Sequence, residues 1–155
     1  MIKYTYVYIL IPLRGLAVTS LARLTFFIGA VTFVFIGALH TYVHLSELAG
    51  PALAGRFEAI GPVLLQGDEV SAWDLFQGVS LLMGFFSAAL GLVLLAILKS
   101  APKGTVPTPT VSAVVMILLG AIAATGALYL SSFQVVGGLV GILLFSLPFA
   151  AALRG

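Results

Sequence analysis

Long apolar blocks, broken by short polar punctuation, organise this chain. Four blocks of about twenty residues fall at about 24–45, 74–98, 110–130 and 134–153. Each is long enough to cross the hydrocarbon core of a bilayer as a helix, which takes about 20 residues. The pattern predicts an all-α integral membrane protein, a bundle of four transmembrane helices. The breaks agree with that division. Residues 100–109 hold three prolines, a glycine and two threonines and read as a loop. Ser131, Ser132 and Phe133 leave room only for a tight turn, so the last two helices form an antiparallel hairpin. Residues 46–73 form the single long connection. Gly50–Pro51 is a stop signal. The Leu, Ala and Phe content beyond it predicts a short helix lying on the membrane or the bundle. Pro148 falls inside the fourth block, where it could kink the helix.

The first 23 residues are a separate matter. Their apolar run from Tyr4 to Leu13 is too short to span, and Arg14 closes it. No small-residue cleavage site follows, so a retained interfacial segment is expected rather than a signal peptide. A folded part that starts downstream of the first methionine is the alternative.

Charge sharpens the topology. All five acidic residues, Glu47, Glu58, Asp68, Glu69 and Asp74, lie in or beside the long connection. Six of seven basic residues lie elsewhere: Lys3, Arg14, Arg23, Lys99, Lys103 and Arg154. Cytoplasmic loops collect Lys and Arg. With four crossings, both termini are expected in the cytoplasm and the 46–73 loop outside. Composition points the same way: 61% hydrophobic and 8% charged, against about 25% charged in soluble domains. A basic cluster for nucleic acid is absent. So is cysteine, which excludes thiolate metal sites and cysteine nucleophiles.

Helices in lipid associate through small residues. Gly29 and Gly37 mark the first span; Gly84, Ala88 and Gly91 the second; Gly120, Ala124 and Ala127 the third; Gly137 and Gly141, with Gly138 beside them, the fourth. These stripes predict packing within the bundle, or a lateral interface with another subunit or a second copy through the third or fourth helix. The two halves of the chain show no inverted repeat of the transporter type.

One polar group stands out. His40, His44 and Glu47 are spaced i, i+4 and i+7 and share a helix face. Asp74 and Gln77 open the second span at similar depth, within expected reach of the histidines. The group could simply pin two helices together. It could also hold a divalent ion: His40, His44, Glu47 and Asp74 are the candidate ligands, and zinc or iron suits imidazole and carboxylate donors. HxxxH alone is a weak signal, and the HExxH form with its built-in base is absent. Haem fits poorly, because both rings leave one side of one helix. No GxGxxG, P-loop or GxSxG pattern occurs. No carboxylate falls near the middle of a span, which disfavours proton-coupled export.

The stretch Gly37-Ala-Leu-His40-Thr-Tyr-Val-His44, the Gly-Pro step and the run Ser71-Ala-Trp-Asp-Leu-Phe-Gln-Gly78 together resemble a family of small bacterial four-span membrane proteins, superficially DoxX-like. The resemblance covers residues 24–154. Its specific part is His40–Thr41 and Trp73 to Gly78. It implies a multi-pass protein of the bacterial inner membrane and draws attention to His40, Asp74 and Gly78. It implies no reaction. Three functions are therefore expected to compete. They are an accessory subunit docked on a larger membrane complex, a metal-dependent or acid–base enzyme at the outer interface, and a protein that binds a lipid, quinone or other apolar ligand. One topology test needs no background correction, since the chain lacks cysteine: Ala59→Cys should react with an impermeant maleimide on intact cells. Reaction only after lysis would reverse the expected orientation.

Overall fold

A computed structural model describes residues 3–46, 51–129 and 132–154, with side chains described from residue 18 onward except those of 51–53, 126, 129 and 132–134. The elements are α1 (Lys3–Leu45), α2 (Pro51–Glu58), β1 (Pro62–Leu65), β2 (Asp68–Ser71), α3 (Ala72–Ser100), α4 (Pro109–Tyr129) and α5 (Ser132–Ala152). Three segments are long and apolar enough to cross a membrane: Val18–Leu45, Ala72–Ser100 and Val135–Ala152. A fourth apolar stretch, Pro109–Thr125, is shorter. The side chains are sorted as lipid requires. Phe35, Phe86, Ile117 and Leu143 are exposed, while Ser80 and Ser112 are buried. An aqueous protein does not leave so much large apolar surface bare.

Two expectations change. The first 23 residues do not form an element apart from the first span, because α1 is continuous over 43 residues. At 1.5 Å per residue that is about 65 Å, roughly twice the hydrocarbon thickness. The chain is also not purely helical. The long connection holds the expected short helix, α2, and in addition an antiparallel hairpin pairing Pro62 with Ser71 and Leu65 with Asp68. Gln66 and Gly67 both have positive φ, 54° and 99°, as a two-residue type I′ turn requires. Pro62 sits at the strand's first position, where its missing N–H does no harm.

Contacts group the chain into two units, Met1–Ala30 with Val93–Gly155, and Val31–Leu92. In the first, α4 and α5 pack antiparallel. A Cβ on Gly138 would come within 2.7 Å of the Ala123 Cβ and 2.8 Å of the Leu119 carbonyl, and one on Gly141 within 2.8 Å of the Leu119 side chain. The expected stripe is therefore rotated. Gly120 and Gly137 face open space and Ala124 is exposed. Leu119 and Ala123, one position earlier on α4, take the contact instead. On α1, the bare backbone of Gly29 makes room for Phe145, whose ring meets Phe26 edge-on at 5.2 Å. Both rings are fully buried.

Arg23 closes the far end of this unit. Its guanidinium donates to the carbonyls of Leu98 and Pro102, each at 3.2 Å, and of Thr105. Leu98 lies in the last turn of α3, where carbonyls lose their helical partners. A cation there also suits the helix dipole. Arg23 therefore sits at the same end as the loop that carries Lys99 and Lys103.

In the second unit, α1 and α3 run antiparallel with their backbones nearly touching. A Cβ on Gly37 would strike the Ala88 amide and the Gly84 carbonyl; one on Gly84 would strike the Thr41 hydroxyl. Thr41 folds that hydroxyl back onto the Gly37 carbonyl at 2.9 Å. Ser87 adds a bond to the Phe33 carbonyl at 3.3 Å. Gly91, further along α3, is buried.

These contacts set an order of mutational costs. Gly84→Val and Gly138→Val should each destabilise by about 1–3 kcal/mol through overpacking. Gly120→Ala and Gly137→Ala should be neutral or gain up to about 1 kcal/mol from helix propensity. Thermal unfolding in detergent micelles reads both pairs, and the reverse order would refute the α4–α5 face described above.

Candidate functional site

The polar centre of the second unit is a hydroxyl between two imidazoles. Ser80 Oγ lies 2.8 Å from His40 Nε2 and 2.7 Å from His44 Nε2. The two rings are 4.8 Å apart and tilted by 55°, one turn apart on α1. Ser80 itself is 7% exposed. Its position follows from helix geometry. Phe76, Ser80, Gly84 and Ser87 repeat at i, i+4, i+8 and i+11 and so form one face of α3. Gly84 lets the α1 backbone come close, and one turn away Ser80 is then within reach of both rings. A hydroxyl has one proton to give. Two contacts to ring nitrogens therefore require that at least one ring carries hydrogen on Nε2. The protonation of the rings is thus tied together through one oxygen.

The remaining candidates fall elsewhere. Asp74 does not join the histidines. It is exposed, in the first turn of α3, where its backbone N–H reaches the Ser71 hydroxyl at 3.4 Å. Ser71 also accepts from the Trp73 N–H at 3.2 Å and so caps the helix. An acid three positions after a cap is stabilised by the helix dipole, which accounts for Asp74 without a ligand role. Glu47 lies outside the described residues. Gly78 is exposed, with open space where a Cβ would stand. Among the described residues no three His, Asp, Glu or Cys side chains converge. Among the described residues, α1 and α3 bring together two imidazoles and a neutral hydroxyl.

Beside the cluster lies an aromatic wall. Phe57 of α2 stacks on Phe76 with centroids 4.5 Å apart and planes 24° apart. Trp73 stacks on Phe76 at 5.8 Å and tilts against Phe57 at 5.9 Å. Phe76 also meets the His44 ring edge-on at 5.8 Å. Phe57 and Phe76, with Ile60, Val63, Ala72, Leu75 and Val79, line an open cleft of about 360 Å³ that exposes no polar surface. The hairpin and α2 build this cleft: Ile60 and Val63 come from the chain leaving α2, and the rest, apart from Phe57, from the start of α3. Trp73 and Phe76 both belong to the run that carries the family resemblance, and a tryptophan suits an anchor at the membrane surface.

Helices of this length and composition, with many large apolar side chains exposed, make the chain a multi-pass membrane protein. Comparison with protein families, with characterised proteins and with solved structures finds no match.

Removing the shared oxygen should show how much it holds. Ser80→Ala takes the partner from two ring nitrogens, at about 1–3 kcal/mol for each group left unpaired. In a His40→Phe/His44→Phe background the same change should cost under about 1 kcal/mol, because the interaction is already gone. Denaturant unfolding in micelles gives the cycle. Additive costs would mean that the hydroxyl does not bridge the rings.

Proposed function

We propose that this protein binds an apolar, lipid-like ligand in the cleft formed by α2, the hairpin and the start of α3. The observation that carries this reading is a cleft of about 360 Å³ with wholly apolar walls and a stacked aromatic side. Ligand pockets are mostly apolar with a few placed polar groups, and the His40–Ser80–His44 cluster adjoins this one through Phe76. The fuller topology belongs to the same proposal. It has four crossings with α4 as the shortest, both termini in the cytoplasm and the acidic connection outside, as the distribution of Lys and Arg supports. The cleft then opens at the outer surface of the membrane, where amphipathic molecules concentrate.

A second reading keeps support from one observation. Gly120 and Gly137 face open space, with Ala124 exposed beside them on α4. Such surfaces let a partner helix approach closely, as an accessory subunit or a homo-oligomer would need. A metal-dependent or acid–base enzyme has no comparable support, because no carboxylate joins the two imidazoles among the described residues.

A diazirine-bearing hydrocarbon tests the first reading. It should label residues 57–79 saturably in the wild-type protein, and Val79→Trp, which fills the cleft, should lower that labelling about tenfold. Labelling spread evenly over all lipid-facing helices would sink the cleft as a binding site. For the second reading, gentle detergent extraction should recover a larger assembly that Gly120→Leu/Gly137→Leu dissociates; a single small species from wild type would end it.

A further inference from the structure

The first unit carries positive charge that the chain itself does not neutralise. Its two segments, Met1–Ala30 and Val93–Gly155, hold six of the seven basic residues and no Asp or Glu. Two of these cations are set in place by a third. Lys103 and Gly104 form the corner of a turn closed by the Thr105 N–H on the Pro102 carbonyl at 3.1 Å. Gly104 has φ 80°, the positive value that a type II turn needs at its third residue. The Thr105 hydroxyl also donates to the Pro102 carbonyl, at 2.9 Å. Arg23 ties this turn to the end of α3, because its guanidinium takes the carbonyls of Leu98, Pro102 and Thr105 together. The turn is thereby folded back on the helix end, and Lys103 stays near the depth of Lys99. Both lysines are exposed. Lys99 is the last residue but one of the spanning segment Ala72–Ser100. That segment has 29 residues, about 43 Å of helix against about 30 Å of hydrocarbon. Its end therefore lies among lipid headgroups.

We infer that Lys99 and Lys103 form a docking surface for anionic phospholipid heads in the leaflet at this end, with Arg23 as the residue that positions them. Cations beside a membrane span attract anionic lipids. A lysine ammonium is a compact point charge on a flexible stem, so it meets a phosphate oxygen without demanding one orientation of the lipid. A zwitterionic head offers the same phosphate but brings a cation of its own, which the two lysines repel. Nucleic acids and acidic proteins stay beyond the headgroups and suit cations that stand clear of the surface. These two are held at it. The acidic residues all lie between Glu47 and Asp74, so the opposite preference holds there. The inference uses the spanning character of α3 and is independent of the cleft.

The chain has no cysteine, so Ser100→Cys places one fluorescent label beside the lysines and Ala59→Cys places it in the acidic connection. Full-length protein is put into nanodiscs of mixed phosphatidylcholine and phosphatidylglycerol. Quenching by a spin-labelled head of either lipid is then compared. At Ser100→Cys the anionic lipid should be favoured about fivefold or more, the equivalent of about 1 kcal/mol from a single lysine. Lys99→Gln/Lys103→Gln should bring the two lipids level, and about 1 M salt should do so in wild type by screening. Gly104→Val strains the turn, and Arg23→Lys keeps the charge but loses the planar fork that gathers carbonyls. Each should at least halve the preference although both lysines remain, and one folded variant of the two suffices. Equal quenching by both lipids in wild type overturns the docking surface. So does a preference that survives the double lysine change, or the same preference at Ala59→Cys. A preference untouched by Gly104→Val or Arg23→Lys overturns the positioning role of Arg23.

Discussion

Lipid offers no hydrogen-bond partner to a peptide group, and the architecture follows from that. Inside the hydrocarbon every N–H and C=O must be satisfied within its own segment, so the apolar blocks are helices. Strands survive only where water or neighbouring chain can serve an open edge, and here they are confined to the connection between α1 and α3. The same solvent removes the usual reason for helices to associate, since a leucine is no better off against protein than against a lipid tail. Association must come from close backbone contact and from polar groups turned inward. Both devices occur, and each unit relies on a different mixture of them.

The first unit is held mainly by shape. Phe145 fills the notch at Gly29, and Leu119 fills the space left by Gly138 and Gly141. Its strong polar contact is at the end, where Arg23 gathers three carbonyls around the α3–α4 loop. In the second unit the polar contact is internal. A hydroxyl and two imidazoles sit one turn from the Gly37–Gly84 contact, in surroundings where an unpaired group would be costly. That cost makes the cluster specific: α3 must present Ser80 to both rings at once.

Much of this could be read from residue order, because span length and small-residue spacing report directly on bilayer physics. The starts of α3, α4 and α5 fall within two residues of the expected ones. The hairpin was missed because Gln66-Gly67 lacks the Asn or Asp that usually announces a type I′ turn, and because the Leu, Ala and Phe content of the connection pointed to a helix alone. α1 begins well before the expected span, since the residues ahead of Leu24 continue the same helix from Lys3. Asp74 was matched to the histidines on depth and charge; depth does not say which way a side chain leaves its helix, and the N-terminal dipole of α3 accounts for it locally. Ser80 was overlooked for the same reason. One serine in an apolar run looks incidental until the face shared by Phe76, Ser80, Gly84 and Ser87 is followed around the helix. On α4 the contact with α5 falls one residue earlier than the Gly120–Ala124 stripe, at Leu119 and Ala123, and leaves Gly120 facing open space.

The contact between Gly37 and Gly84 has a mechanical side. Two bare backbones have no side chains to mesh, so that crossing limits how near the helices come but does little to stop one turning about its long axis. Ser80, one turn along, sits off that axis and is bonded to both rings, so torsion in either sense must strain those bonds. The crossing behaves as a bearing and the serine as its latch.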